Sequence, residues 1–401
     1  MTHAGLRRSG AGQRATALEL FYDLVFVFAV TQVSHHLLEH LTWQGAGQSL
    51  LLLLVVWWAW NYTTWVTNEL DPDAPVVRLL LLAIMLASLL LAVAIPQAFG
   101  ARALLFAGSY VAIQVGRHAF LAFAAASAGT VERERALRIL VWFVAAGALW
   151  TAGGLAAGPA RVALWGAALA LDYGAPLVFY RLPWRPRLGE EAWAVGTAHF
   201  AERFQLFVII ALGESIVLTG ATTAGLELTA ARTTAFALAF ASTAALWWLY
   251  FTYVARIAER RLELARNRTR VARDAFTYLH VLLVAGVIVA AVGDELVIAH
   301  PLDRPPAREL AAIVAGPALY LLAHVLFRWR LAGSPSWRRL AGALACLAVA
   351  PLGAVAPALA VAGLLVGVLV TVIATEHDAG RRRSARGEPS PLERLPTGSR
   401  P

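Results

Sequence analysis

Apolar residues along this chain come in long blocks, not in the one-in-two alternation of a half-buried strand. "SLLLLLVVWWAW" and "VRLLLLAIMLASLLLAVAI" are two such blocks, and similar ones recur as far as residue 376. A predominantly apolar run of roughly 18 or more residues has the length of a membrane-crossing helix. The pattern predicts an all-α polytopic membrane protein with about twelve transmembrane helices. They fall at 17–37, 48–66, 77–96, 102–125, 137–155, 161–180, 197–219, 232–254, 273–293, 308–327, 338–355 and 357–376. One block fits a buried core helix; a dozen exceed what a soluble chain of 401 residues can enclose. Composition agrees, with 59% apolar and 15% charged residues, against about 25% charged in a soluble domain.

The net charge of +9 changes the picture only through its distribution. Every basic residue is arginine, and most stand in alternate loops. One set of loops holds Arg133, Arg135, Arg138, Arg181, Arg185 and Arg187, then the run "ARIAERRLELARNRTRVAR", then Arg328, Arg330, Arg338 and Arg339. The intervening loops hold only Arg102, Arg161, Arg232, Arg304 and Arg308. Arginine collects on the cytoplasmic side of a membrane protein. The asymmetry therefore predicts two cytoplasmic termini, and no nucleic-acid partner. The acidic inside loop "TNELDPDAP" is an exception that carries little weight in orientation. The first block reads as a retained helix, because Glu19 and Asp23 interrupt it and no small-residue cleavage site follows. Cys346 is the single cysteine, so no internal disulfide forms.

Segments repeat. "LELFYDLVFVFAVTQ" (18–32) parallels "AERFQLFVIIALGES" (201–215), and "WWAWNYTTW" (57–65) parallels "WWLYFTYVA" (247–255). "GSYVAIQVGRH" (108–118) parallels "GPALYLLAHVLFR" (316–328) more loosely. The reading is two parallel six-helix repeats at 17–181 and 197–376. A cytoplasmic N-terminal tail covers 1–16, a cytoplasmic linker 182–196, and a disordered basic cytoplasmic tail 377–401. An even number of spans per half gives both halves one orientation, with a pseudo-twofold axis along the membrane normal.

Ionisable residues concentrate in the two lead helices. Burying an ionised side chain at the bilayer centre costs roughly 2.5–3.5 kcal/mol on insertion scales, so such groups pair or face a polar cavity. At 100° per residue, His199, Arg203 and Glu214 fall within about 60° of one another, with Glu202 beside them. Glu214 stands about 22 Å along the axis from His199. Glu19 and Asp23, four apart, share a face. Glu214, Ser215, Asp23, Glu19, Gln32 and Asn61 are the candidates for an ion or solute path. His199, Glu202, Arg203, Arg117 and His118 are the candidates for a polar network. The simpler alternative is interhelical pairing, with Glu19 or Glu202 against Arg117 or Arg203. Trp57, Trp58, Trp60 and Trp247, Trp248, Tyr250 read as interfacial belts, and Asp172 and Asp294 as boundary residues.

Enzyme signals are weak. His36-x-x-Glu39-His40 matches the inverted zinc-protease pattern, but no further acidic ligand lies nearby. "GESIV" lacks the second glycine of a nucleophile elbow, and no P-loop occurs. No cofactor is expected.

"LELFYDLVFVFAVTQVSHHL", "WWAWNYTTWVTNELDPD" and "HFAERFQLFVIIALGESIV" resemble the low temperature requirement protein A family of bacterial membrane proteins, across most of 17–376. That resemblance implies a multi-pass membrane protein and supplies no reaction. "LFYDLVFVFAVT" is also distantly similar to the F-S-D-x-V-F-A-I-A signature of two-repeat, six-helix potassium channels, where the lead helices line the pore. Phe21 and Asp23 fill the matching positions; Tyr22, Ala17 and Leu206 depart from it. The leading expectation is thus a channel or transporter for an inorganic cation, a proton or a small solute, lined by spans one and seven. A membrane-embedded enzyme using His and carboxylate groups, and a non-transporting sensor or scaffold, are the alternatives. The lipid bilayer is the expected partner, and a homodimer is left open.

Overall fold

A computed structural model describes residues 14–193 and 196–388, and their backbone is predominantly helical. The helices are α1 (Ala17–Glu39), α2 (Trp43–Thr67), α3 (Pro75–Ala94), α4 (Ala103–Phe120), α5 (Val131–Leu155), α6 (Gly158–Gly174) and α7 (Thr197–Ala224). There follow α8 (Ala230–Leu249), α9 (Ala255–Leu264), α10 (Arg268–Val271), α11 (His280–Ala299), α12 (Ala307–Ala332), α13 (Trp337–Val349) and α14 (Ala358–Ala385). Wide π turns at Leu121–Ala125, Tyr250–Val254 and Ala272–Leu279 extend α4, join α8 to α9 and join α10 to α11.

Helical backbone falls on each predicted stretch, as expected where lipid leaves backbone N–H and C=O groups no partners but their own. Among the described residues, nine helical rods are long and apolar enough to cross a membrane. The helices α4, α6 and α13, with 18, 17 and 13 residues, are not among them. Local chemistry sets several ends. Thr130 and Thr229 cap α5 and α8 by accepting from Arg133 N and Arg232 N. Gly333, at φ 70°, closes α12 in the left-handed region. The last helix does not stop at Glu376, where the final span was placed; it continues to Ala385.

The described residues fall into two compact units, one within Met1–His36 and Gln48–Phe200, the other within Leu37–Gly47 and Ala201–Pro401. In the first, α3 packs on α4, α4 on α5 and α5 on α6. Tyr173 then ties α6 back to α2, donating to Leu54 O at 2.9 Å and stacking on Trp58 with centroids 3.7 Å apart. Val66, Leu70, Val77 and Leu81 close the α2–α3 corner. In the second, α11 packs on α12, α12 on α13 and α13 on α14, while α14 returns to α8. Here glycines let two backbones touch. A Cβ on Gly286 would meet Tyr320 Cα at 2.8 Å, and one on Gly316 would meet Ala290 Cα at 2.4 Å. Small residues at a helix crossing permit this approach in lipid, where packing drives association.

The aromatic reading changes. Trp57, Trp58 and Trp60 are not an interfacial belt: all three are fully buried, while Trp247 and Trp248 are half exposed. Tyr250 is buried as well. The acidic loop after α2 is balanced by arginines of its own unit, Glu69 by Arg135 and Asp73 by Arg78. That pairing removes most of its charge from any count of topology.

Candidate functional site

The first turn of α1 is built on a capping box. Thr16 N donates to Glu19 Oε2 at 2.9 Å, and Glu19 N donates to Thr16 Oγ1 at 3.3 Å. The same carboxylate receives His199, whose Nε2 lies 2.9 Å from Oε1 and 3.2 Å from Oε2. On the other side of the ring, His199 Nδ1 is 3.2 Å from Asn68 Nδ2, an amide N–H donor. Nδ1 therefore accepts, which places the imidazole proton on Nε2, facing Glu19. Asn68 also clasps Gly196 through both N–H and C=O, at 2.7 and 2.9 Å. One turn of α1, the end of α2 and the start of α7 are thereby fastened together.

A second cluster lies one turn deeper. Trp60 Nε1 donates to Asp23 Oδ1 at 2.8 Å, between two groups each at most 1% exposed. The carbonyl of Ala59 accepts from Tyr22 Oη at 3.4 Å and from Arg117 Nη1 at 3.2 Å. Arg117 also donates to Thr63 Oγ1 at 2.7 Å and to Gln114 Oε1, and its guanidinium lies 5.6 Å from the Tyr62 ring centroid. Among the described residues Arg117 is thus held by neutral acceptors and a π face rather than by a carboxylate. His118 bonds Gln114 O through Nδ1 at 2.9 Å and lies edge-on to Tyr62. Asn61 is fully buried on the same helix as Trp60, and Gln32 is half-buried on α1.

The candidates on α7 separate into two zones. Near its start, His199 and Arg203 are buried and Glu202 is half-buried. Beyond an apolar sleeve of Phe204, Phe207, Val208, Ala211 and Leu212 come Glu214, Ser215, Thr219 and Thr223, all buried. The hydroxyls each bond back to the helix: Ser215 to Ala211 O at 3.2 Å, Thr219 to Ser215 O at 2.8 Å and Thr223 to Thr219 O at 2.7 Å. Ile209, Ile216 and Val217 point outward. On α1 the outward residues are Leu20, Phe21, Leu24 and Phe28, while Glu19, Asp23 and Ser34 face inward.

Sequence reasoning passed over other buried polar groups. Asp172 is no boundary residue: it is 3% exposed, and its Oδ2 accepts from Tyr110 Oη and Trp150 Nε1, both at 2.9 Å. In the second unit Tyr250 Oη meets His280 Nε2 at 2.7 Å, beneath the stacked ring of Phe276. Arg339 pairs with Glu376 through two bonds of 2.8 and 2.9 Å, contacts His324 Nδ1 at 2.8 Å and donates to Leu249 O at 3.0 Å. The partners of Asp172 stand 62 and 22 residues away, on α4 and α5, so no local spacing rule points to them.

Among the described residues no group of three or more His, Cys, Asp or Glu side chains is placed to hold a metal ion. Of the His and Glu side chains in "HHLLEH" only His36 is buried, its ring stacked 6.2 Å from that of Phe99; His35, Glu39 and His40 are exposed.

Comparison with known proteins follows the same lines. The model of the family described as "Bacterial low temperature requirement A protein (LtrA)" matches residues 14–374. An uncharacterised protein of Rhizobium meliloti (strain 1021), RA0937, is 36% identical over 320 residues, covering 79% of this chain and 78% of that protein. No solved structure matches.

Proposed function

The chain belongs to the bacterial low temperature requirement A family, and from that premise we propose that it forms a permeation path for an inorganic cation, a proton or a small solute across the bacterial cytoplasmic membrane. The observation that carries this is the buried side of α7. Polar groups occur on it from His199 to Thr223, about 36 Å at 1.5 Å per residue, against a hydrocarbon thickness of about 30 Å. Ionisable groups buried within membrane helices are rare and mark substrate or ion pathways and proton relays. The apolar sleeve between Arg203 and Glu214 gives such a path a dry segment, the kind that gates by dewetting. The lining is supplied helix by helix: Glu19, Asp23 and Gln32 from α1, Glu214 and Ser215 from α7, and Asn61 from α2. His199, Glu202 and Arg203 serve the cytoplasmic mouth, and Arg117 and His118 brace α2.

The architecture that goes with it is twelve crossings in two parallel six-helix repeats, with both termini cytoplasmic. Extended by their adjoining turns, α4, α6 and α13 reach 23, 21 and 18 continuous helical residues. Those lengths meet the bilayer requirement of about 17–25 residues. Two runs of neighbours support this reading: α3–α4–α5–α6 within the first unit and α11–α12–α13–α14 within the second. The sequence pairing of 57–65 with 247–255 sets Leu249 opposite Ala59. Both carbonyls accept from a buried arginine, Arg117 in one case and Arg339 in the other.

Flux tests the reading. Purified protein in liposomes is screened with protons, potassium, sodium and small uncharged solutes, beside the Glu214→Gln variant. A wild-type flux above that of protein-free vesicles, altered by the variant, supports a path. Equal leakage in all three preparations removes it.

A further inference from the structure

The second unit contains a cavity of about 120 Å³ that the permeation reading does not use. It opens where α9, the end of α12, the start of α13 and the late turns of α14 come together. Val254, Ile257, Phe327 and Leu331 supply the apolar part of its lining, and Arg261, Arg328, Arg338 and Arg383 the basic part. Behind them Arg339 is already neutralised by its two bonds to Glu376. Glu376 also lines the cavity, and its field reaches Arg328 and Arg338; among the described residues none of the four remaining guanidiniums forms an ion pair with it, and Arg383 bonds only the helical carbonyl of Ala379. A neighbouring cavity shares two of them, Arg338 and Arg383, and adds Arg382 and Arg386.

Depth identifies the ligand class. Trp329 and Trp337, at the ends of α12 and α13, are 60% and 71% exposed, as tryptophans are at headgroup level. A site there whose lining combines guanidiniums with aliphatic and aromatic carbon matches a phosphate attached to an acyl chain. Basic pockets between membrane helices recognise anionic headgroups on this basis, and arginine binds phosphate oxygens in pairs through its planar fork. We propose that this cavity seats the phosphate of an anionic phospholipid, with Arg338 and Arg383 as its principal ligands.

Arg338 is exposed and Arg383 partly exposed, so Arg338→Gln/Arg383→Gln is compatible with folding. The control removes two exposed arginines elsewhere, Arg181→Gln/Arg187→Gln. Dioleoylphosphatidylglycerol, dioleoylphosphatidylcholine or inorganic phosphate is titrated into each protein in neutral detergent. Bound lipid is counted by native mass spectrometry, and Tm is followed in parallel. The expected result is saturable retention of phosphatidylglycerol by the wild type and the control, with about tenfold or weaker apparent affinity in the double variant, the loss of one charge-assisted contact or more. Phosphatidylcholine and inorganic phosphate leave Tm unmoved. Equal retention by the double variant overturns the proposal. So does an equal loss in the control, which would be net charge alone, or an equal Tm rise with inorganic phosphate, which would be a soluble-anion site.

Discussion

His199 Nε2 stands 2.9 Å from Oε1 of Glu19, a residue 180 positions earlier in the chain. The pair joins the first turns of α1 and α7, so the carboxylate that opens the chain's first helix also anchors the helix that carries Glu214. Because Glu19 is held by Thr16 as well, its loss and the loss of Thr16 have separable effects. Thr16→Ala removes the cap and costs about 1 kcal/mol. Glu19→Gln keeps the shape and weakens both contacts, for a larger loss. Unfolding in detergent by urea or SDS titration measures both, and a Glu19→Gln variant no less stable than Thr16→Ala would remove His199 as a partner of consequence.

Asp23 and Trp60 give a sharper contrast. Trp60→Phe keeps the ring but withdraws the indole N–H from a buried carboxylate, a loss of about 1.5–3 kcal/mol for a hydrogen bond to a charged group. Trp247→Phe, on a half-exposed ring, changes stability by about 0.5 kcal/mol or less, as surface substitutions do. Similar thermal shifts for both would mean that the buried cluster holds nothing in particular.

Arg339 and Glu376 form a pair with side chains 5% and 14% exposed. Removing one partner strands the other, so Arg339→Met costs about 3–5 kcal/mol. The double variant Arg339→Met/Glu376→Leu recovers much of that loss, since a packed apolar pair of similar volume is often as stable. A double-mutant cycle with no coupling would contradict the geometry.

Glu214→Gln keeps size and hydrogen-bonding capacity and deletes a charge. The expected outcome is a folded, inserted protein with a Tm near that of the wild type and strongly altered flux or pH dependence of flux. If the variant unfolds and its surviving fraction transports normally, Glu214 is a structural group and the path must be sought elsewhere.

Topology is open to labelling. Cys346 is buried, so Cys346→Ala gives a quiet background for a cysteine placed at Arg386. Protection from a membrane-impermeant maleimide in intact spheroplasts, lost on lysis, is the expected result. Labelling in intact cells would shift the count of crossings by an odd number.

Which parts were legible follows from what hydropathy measures. Apolar runs located the helical stretches because backbone satisfaction in lipid depends on length and polarity alone. The same scale could not separate Trp58, buried against Tyr173, from Trp247, half exposed: lipid and protein core are equally apolar. The capping box at Thr16 and Glu19 was written in the local string and was passed over for the charge. Its partner His199 was beyond any local rule. Asp172 lies 62 residues from the tyrosine that satisfies it, and Arg339 draws its partners from α8, α12 and α14. Such groups become visible only when the helices are assembled.

The wide turn at Tyr250–Val254 has a consequence for ancestry and engineering. A π turn holds one residue more than an α-helix of equal pitch requires, so it behaves as an insertion lodged inside a continuous rod. Excising one residue there would close the bulge to α-helical winding and leave α8 and α9 in their present phase. Removing one from the regular turns of α9 ahead of Arg261 would instead rotate that residue by about 100°, out of the cavity lining. The wide turn therefore acts as a tolerant joint: it takes up a single-residue change of length while the arginine-bearing helix beyond it keeps its facing.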